Sequence, residues 1–399
     1  MEFVVTDHHQ LPDQLPDCPI VHPDLSVGKV FSGVSGATIA WLLVCSFEYV
    51  DNSTKFSYRN VKGLDLVAIS VLSDVMDSRG INRHLQSYGL EELRTSNRKG
   101  LVALFEISEQ DLLAVNSEIL QFQIIPQLNA VGRIGDPLDA VRLLITDSDD
   151  VARKLAIKIN KVNKRRKSMT SEISDEAEMQ IKMNSQNTNI CWAAGEGWHE
   201  GIVGIVASRL SHQLNKTSIV IAKKSKISTG SIRSVGDFSI VTALENLKEY
   251  LVRFGGHDSA AGFSVKSKDI DKFMELLSEQ LPAESTETVM LADLQVNTDQ
   301  LSWKLFLTEK QLSPFGHLNE KPVYWVKDAK IKDAKVVGNK HLRFTIVGEF
   351  QELVCIAFGM GNLHTKLISA DSVDILGYLE VNEWRGNESL QFRVIDLKI

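Results

Sequence analysis

Cysteine is scarce in this chain: four in 399 residues, Cys18, Cys45, Cys191 and Cys355, far apart and without a Cys-x-x-Cys pair. That spacing signals neither a zinc site nor a disulfide framework, and reduced thiols in a cytoplasmic protein are the expectation. No stretch reaches the ~18 apolar residues of a membrane span, and residues 1–20 lack the basic start and apolar run of a secretory signal. Positive charge is not in excess either. A formal net charge of −7 argues against a broadly basic surface of the kind that grips duplex DNA. It leaves room for local basic grooves beside acidic metal sites, so nucleic acid is not excluded. No internal repeat or low-complexity tract is present. What remains is a globular composition, 43% hydrophobic and 24% charged, in a chain long enough for two or three domains.

The pattern of apolar residues predicts an α/β chain in four parts. In residues 1–148 a short strand, Phe3 to Thr6, is followed by Ile20-Val21, a helical stretch from Ser35 to Phe47 and a buried helix from Leu64 to Val75. Residues 149–185 hold a polar stretch without Pro or Gly, with apolar positions near helical spacing, which predicts one long connecting helix. Residues 186–283 restart the α/β pattern with a strand at Ile190-Cys191-Trp192, a helix from Ile202 to Leu210 and a strand from Ser218 to Ala222. Residues 284–399 carry five strand-like segments, Val323 to Lys330, Leu342 to Val347, Leu353 to Phe358, Val373 to Val381 and Leu390 to Leu397. Turn residues Gly338-Asn339, Gly348 and Gly386-Asn387 separate them, which predicts a small OB-type barrel.

The chemistry-bearing residues cluster at element ends. Asp7-His8-His9 follows the first strand, and carboxylate plus imidazole at the carboxyl end of a buried strand suits a divalent metal better than a turn of satisfied polar groups. Asp74, at the end of an apolar run, is either a metal ligand or a capping carboxylate. Arg133, in Leu128-Asn129-Ala130-Val131-Gly132-Arg133 before the loop Gly135-Asp136-Pro137, can fork onto a phosphate with Asn129 orienting it, or make a structural ion pair. Gly195 to Gly201, containing Trp198-His199-Glu200, opens a helix whose free N–H groups suit an anion, although a packing corner explains the glycines equally well. Ser231, Arg233 and Ser234 have the composition of a phosphate clamp, with a solvated hairpin as the alternative. Gly255 and Gly256 allow close backbone approach beside His257, which can donate to a phosphate oxygen or a leaving group. The basic run Lys161, Lys164, Arg165, Arg166 and Lys167 is by default a solvated face, with a DNA path as the sharper alternative. Trp325, Phe344, Phe358, Trp384 and Phe392 can stack bases, though most are expected in the core.

Taken in order, these motifs resemble the RecJ family of the DHH phosphoesterase superfamily. Asp7-His8-His9 is similar to the DHH motif, Leu64 to Asp74 to the following metal-binding segment, and Leu128 to Arg133 to the LNAAGR-like loop. The stretch from Trp198 to Gly204, Gly230 to Ser234 and Gly255-Gly256-His257 resemble the DHHA1 signatures, and Pro314-Phe315-Gly316 leads into a RecJ-like OB domain. The resemblance implies 5′-to-3′ removal of nucleotides from single-stranded DNA in repair and recombination, with Mn2+ or Mg2+ as cofactor. It implies Asp7, His8, His9 and Asp74 as metal ligands, His257 as support for the scissile phosphate, and Ser231, Arg233 and Ser234 as holders of a terminal phosphate. Implied partners are single-stranded DNA, a single-stranded-DNA-binding protein or helicase, and no membrane. Members of the family carry two acidic motifs upstream of the DHH motif, and this sequence begins after them. The expectation is therefore a chain that binds single-stranded DNA, hydrolyses it poorly alone, is poorly soluble, and is completed by a separate chain supplying the missing motifs. Two alternatives are a non-catalytic strand-binding scaffold and a phosphodiesterase for oligoribonucleotides or cyclic dinucleotides. The barrel argues against the second, and the retained ligands against the first.

Overall fold

The computed structural model describes residues 3–12, 14–26, 31–52, 57, 59, 61–183, 190–236, 238–281, 289–338, 340–384 and 386–399. In chain order come β1 (Val5–Thr6), β2 (Ile20–Val21), α1 (Gly36–Asn52), α2 (Leu64–Ser73), α3 (Gly80–Arg94), α4 (Lys99–Ile107), α5 (Ser117–Ile119), α6 (Ile125–Ile134), α7 (Leu138–Ile145) and α8 (Asp149–Met183). Then follow β3 (Ile190–Glu196), α9 (Glu200–Leu214), β4 (Thr217–Lys223), β5 (Ile227–Arg233), α10 (Ile240–Asn246), β6 (Leu251–His257), β7 (Ala260–Lys266) and α11 (Ile270–Glu279). The last stretch holds β8 (Leu294–Val296), α12 (Trp303–Glu309), β9 (Tyr324–Val337), β10 (His341–Val347), β11 (Glu352–Ala357), α13 (His364–Ile368), β12 (Val373–Trp384) and β13 (Asn387–Lys398). No helix among the described residues is long and apolar enough to cross a membrane. The expected boundaries near 185 and 283, and Asn339 of one expected turn, lie outside the described residues.

The chain divides into two compact units, residues 1–95, 115–120 and 290–399, and residues 96–114 and 121–289. In the first, β1 and β2 form a two-stranded parallel pair, all that stands for the expected parallel sheet among the described residues. Helix α2 follows the apolar run, burying Leu64, Val67 and Val71 against Trp41, Cys45 and Leu85. It ends at Asp74 in a Schellman motif: the Met76 N–H donates to the Val71 carbonyl and the Val75 N–H to that of Leu72. Glycine is usual at the left-handed position of this motif, yet Val75 holds it at φ 53, and a β-branched residue there is strained. Strain of this kind concentrates at functional sites.

Helix α3 lies so close to α2 that a Cβ on Gly89 would meet the Leu64 carbonyl oxygen at 2.2 Å. Gly89→Ala is therefore expected to destabilise the protein by about 1–3 kcal/mol, read as a lower melting temperature, because the facing atom is backbone and cannot rotate away.

The barrel runs β10-β11-β13-β12-β9, and a further β9–β10 pairing closes it. Closure works because β9 is 14 residues long: its first half pairs with β12 and its second half with β10. The five expected strands are all present, and β8 adds to β9 as a sixth that the sequence pattern missed. A three-residue strand is too short to show a period of two.

In the second unit, α8 is one uninterrupted helix of 35 residues, packed against α4, α6, α7, α9 and β3. The sheet order is β3-β4-β5-β7-β6, with β3–β4 parallel and the remainder antiparallel. Ile219, Ile221, Ile232, Ala261 and Phe263 face α10 and α11, while Ala193, Val220 and Ala222 face α8 and α9.

Candidate metal cluster and phosphate shelf

Asp7, His8 and His9 each present one ligand atom, all lying within 4.8 Å of one another. The Asp7 carboxylate holds the cluster together: Oδ1 accepts from the His8 N–H at 2.7 Å and the His9 N–H at 3.3 Å, and meets His9 Nδ1 at 2.7 Å. Led by the His9 side-chain hydrogen bond, these contacts lower the Asp7 pKa to about 2, so the group is an anion across the neutral range. His8 Nε2 lies 3.5 Å from Asp74 Oδ2, which brings the fourth expected ligand to the same corner. A carboxylate–imidazole set of this kind fits a divalent cation such as Mn2+ or Mg2+, and the half-exposed Asp74 leaves the corner open. Asp77, also near the end of the apolar run, is committed instead to Arg79 Nε and Nη2.

The sequence reading passed over His22. It is buried, and its Nδ1 accepts from the Asp24 N–H, so Nε2 carries the proton donated to the His9 carbonyl oxygen at 2.8 Å. Two residues of the loop after β2 thereby fix the main chain of the Asp-His-His turn.

The candidate phosphate-binding residues lie in the second unit. Asn129 and Arg133 are on helix α6, not on a loop, and the loop begins only at Gly135. Helical packing explains this: a Cβ on Gly201 would lie 2.3 Å from the Arg133 carbonyl oxygen, so the end of α6 sits directly on the first turn of α9. Arg133 Nη1 donates to the Gly201 carbonyl at 3.5 Å. The expected free amides at that helix start are largely used up. His199 is the N-cap: its Nδ1 accepts from Gly201, and its carbonyl accepts from Ile202 and Val203.

Strand register gathers the rest. Ser231 pairs with Gly262 and Gly262 with Gly255, while Arg233 pairs with Ala260 and Ala260 with His257. Residues two apart on a strand share a face, so Ser231, Arg233, Gly255 and His257 stand on one side of the sheet, with Arg233 and His257 about 10 Å apart over a floor of Gly and Ala. Ser231 Oγ accepts from Arg233 Nη1 at 3.0 Å, and a Cβ on Gly204 of α9 would come within 3.3 Å of that hydroxyl. Gly255 has open space where a Cβ would be, as a close ligand approach requires, whereas Gly256 is demanded by the hairpin, since its Cβ would meet the Ala260 carbonyl at 2.3 Å. The buried Ser234 Oγ has no hydrogen-bond partner among the described residues.

Two basic residues join this face unannounced. Arg253 Nε donates to Ser264 Oγ on the same side of the hairpin. Arg166, from the basic run, is half-buried while Lys161, Lys164, Arg165 and Lys167 are exposed. Burial first and the charge of Arg133 second push the Arg166 and Arg233 pKa values down, which places three guanidinium groups near one another. None of the three is ion-paired with a carboxylate among the described residues. Sequence could have singled out Arg166 only by its helical phase relative to the buried Asn163 and Thr170. In the barrel Phe344 and Phe392 are core, Phe358 is half-exposed beside His341 and Arg393, and the Trp384 side chain lies outside the described residues.

A strand-tip Asp-His-His cluster followed in the chain by an α/β domain and a closed barrel has the order of parts that the DHH/DHHA1 resemblance implies. Residues 187–282 match the DHHA1 domain family and residues 292–396 the RecJ OB domain family. The whole chain is 32% identical to the single-stranded-DNA-specific exonuclease RecJ of Bacillus subtilis, covering 51% of that protein. It is 29% identical to the Salmonella typhimurium protein of the same name, over 99% of this chain and 72% of the relative. The crystal structure of RecJ in complex with Mn2+ from Thermus thermophilus matches with a TM-score of 0.84 at 26% identity, over 100% of this chain and 58% of that one. The chain resembles RecJ over its whole length. It spans about half the length of the Bacillus subtilis relative.

Proposed function

We propose that this chain acts on single-stranded DNA as its relatives do, as the metal-holding and phosphate-holding part of a 5′-to-3′ exonuclease in repair and recombination. The convergence of Asp7, His8 and His9 ligand atoms within 4.8 Å, with Asp74 beside His8, carries the reading. Asp7, His8, His9 and Asp74 would hold Mn2+ or Mg2+, and a bound cation of this kind activates water and neutralises charge on a scissile phosphate. The protein's own groups supply orientation: Asp7 aims the His9 ring, and His22 fixes the turn beneath it. On the shelf, Arg233, Ser231 and Ser234 hold a terminal phosphate, with Arg133 and Arg166 adding charge, and His257 donates to a phosphate oxygen. Phe358 with Arg393 offers a stacking surface for an unpaired base.

Four ligands suffice for one cation. A cytoplasmic location, with a single-stranded-DNA-binding protein or helicase as working partner, belongs to the same reading, and four free cysteines support the location.

Binding assays with Mn2+ test the proposal. A 5′-phosphorylated single strand is expected to bind at least tenfold more tightly than a duplex of the same length, and Phe358→Ala to weaken that binding by about 1–3 kcal/mol. Equal affinity for both forms, or preference for a short oligoribonucleotide, would overturn it.

A further inference from the structure

Asn82, on the first turn of α3, is 2% exposed and donates through Nδ2 to two carbonyls, Gly33 at 2.8 Å and Asp77 at 3.0 Å. Both partners are acceptors only, so the amide nitrogen must face them, and the orientation of the side chain is determined. Its Oδ1 is buried without a hydrogen-bond partner among the described residues. An unpaired buried acceptor offsets part of what the two donated bonds contribute to stability, which makes this side chain a poor choice for stability alone.

What the two carbonyls belong to explains the choice. Gly33 ends the turn that leads through Val34-Ser35 to Gly36, whose Cα lies so close to His8 that a Cβ there would stand 3.3 Å from the ring Cδ2. Asp77 ends the turn that starts at Asp74, the carboxylate 3.5 Å from His8 Nε2. His8 thus rests between two turns, and one amide fastens both. A hydroxyl chain makes a second tie between the same segments: Ser70 donates to Ser35 at 2.8 Å, and the Asp74 N–H donates to the Ser70 carbonyl.

We infer that Asn82 is a positioning residue for the Asp7-His8-His9-Asp74 cluster, setting the spacing between the His8 imidazole and the Asp74 carboxylate. The inference rests on the reading of that cluster as a metal site. Groups that orient metal ligands from behind typically change affinity by about 10–100-fold when removed.

Gln86 is the internal control. One turn further along α3 it is fully buried, donates through Nε2 to the Phe315 carbonyl, and leaves Oε1 unpaired, yet it holds neither turn of the cluster. Mn2+ titration of Asn82→Leu and Gln86→Leu, followed by the electron paramagnetic resonance signal of free Mn2+ and paired with thermal melts, tests the inference. Asn82→Leu is expected to weaken Mn2+ binding about tenfold or more, while Gln86→Leu lowers the melting temperature and leaves Mn2+ affinity unchanged. If Asn82→Leu does not fold, Asn82→Ser, which keeps one donor, is expected to weaken binding several-fold. Parental affinity in the Asn82 variants, or equal weakening in Gln86→Leu, would overturn the positioning role. Absence of Mn2+ binding by the parent chain would instead overturn the metal site itself.

Discussion

Asp7→Ala is expected to weaken Mn2+ binding by about two orders of magnitude or more, beyond the ~10–100-fold typical of losing an outer partner. The change removes more than one ligand atom. Asp7 Oδ1 also accepts from both following main-chain N–H groups and contacts His9 Nδ1, so the His9 ring and the main chain of both histidines lose their common anchor. Exposure of the corner limits what the deletion does to folding, and the melting temperature should move little. Isothermal titration with Mn2+ checks this, and a parental binding constant in the variant would remove Asp7 from the site.

Arg233→Ala should weaken binding of a 5′-phosphorylated oligonucleotide about 10- to 150-fold, the range for a charge-assisted hydrogen bond of ~1.5–3 kcal/mol. The guanidinium is half-buried, flanked by the charge of Arg133 and, among the described residues, met only by neutral acceptors, the Ser231 hydroxyl and the Ile232 carbonyl. A cation kept in that setting is short of an anion. The dependence of affinity on salt should fall by about one phosphate contact. The same strand ending in a 5′-hydroxyl should bind parent and variant alike. If both strands lose affinity equally, Arg233 serves folding or general charge and does not read a terminal phosphate.

Much of this arrangement is legible in the chain because local rules reach it. The absence of Pro and Gly between Asp149 and Met183 predicts the long helix, and the apolar run from Leu64 predicts α2 with Asp74 at its end. Turn glycines and alternating strands give the barrel, except for β8, which pairs in parallel with β9 and owes its existence to that distant partner. The shelf is less legible. Ser231, Gly262 and Gly255 are far apart in sequence and meet only through register, and periodicity carries no information on register between strands. The Leu128 to Arg133 segment is expected to be a loop only through its resemblance to the LNAAGR-like loop, and it is helical. Contact with Gly201 of α9 makes a helix there, and that contact is tertiary. Asn82 and His22 are invisible for a related reason: buried polar residues with carbonyl partners leave no pattern along the chain.

Pulsed electron paramagnetic resonance of the Mn2+-loaded chain tests the central claim most directly, because nitrogen couplings report whether imidazole touches the ion. The expected result is electron spin-echo modulation from 14N in the parent, reduced in His8→Ala and absent in the His8→Ala/His9→Ala double variant. A manganese signal carrying only water couplings in the parent, unchanged by these substitutions, would contradict it.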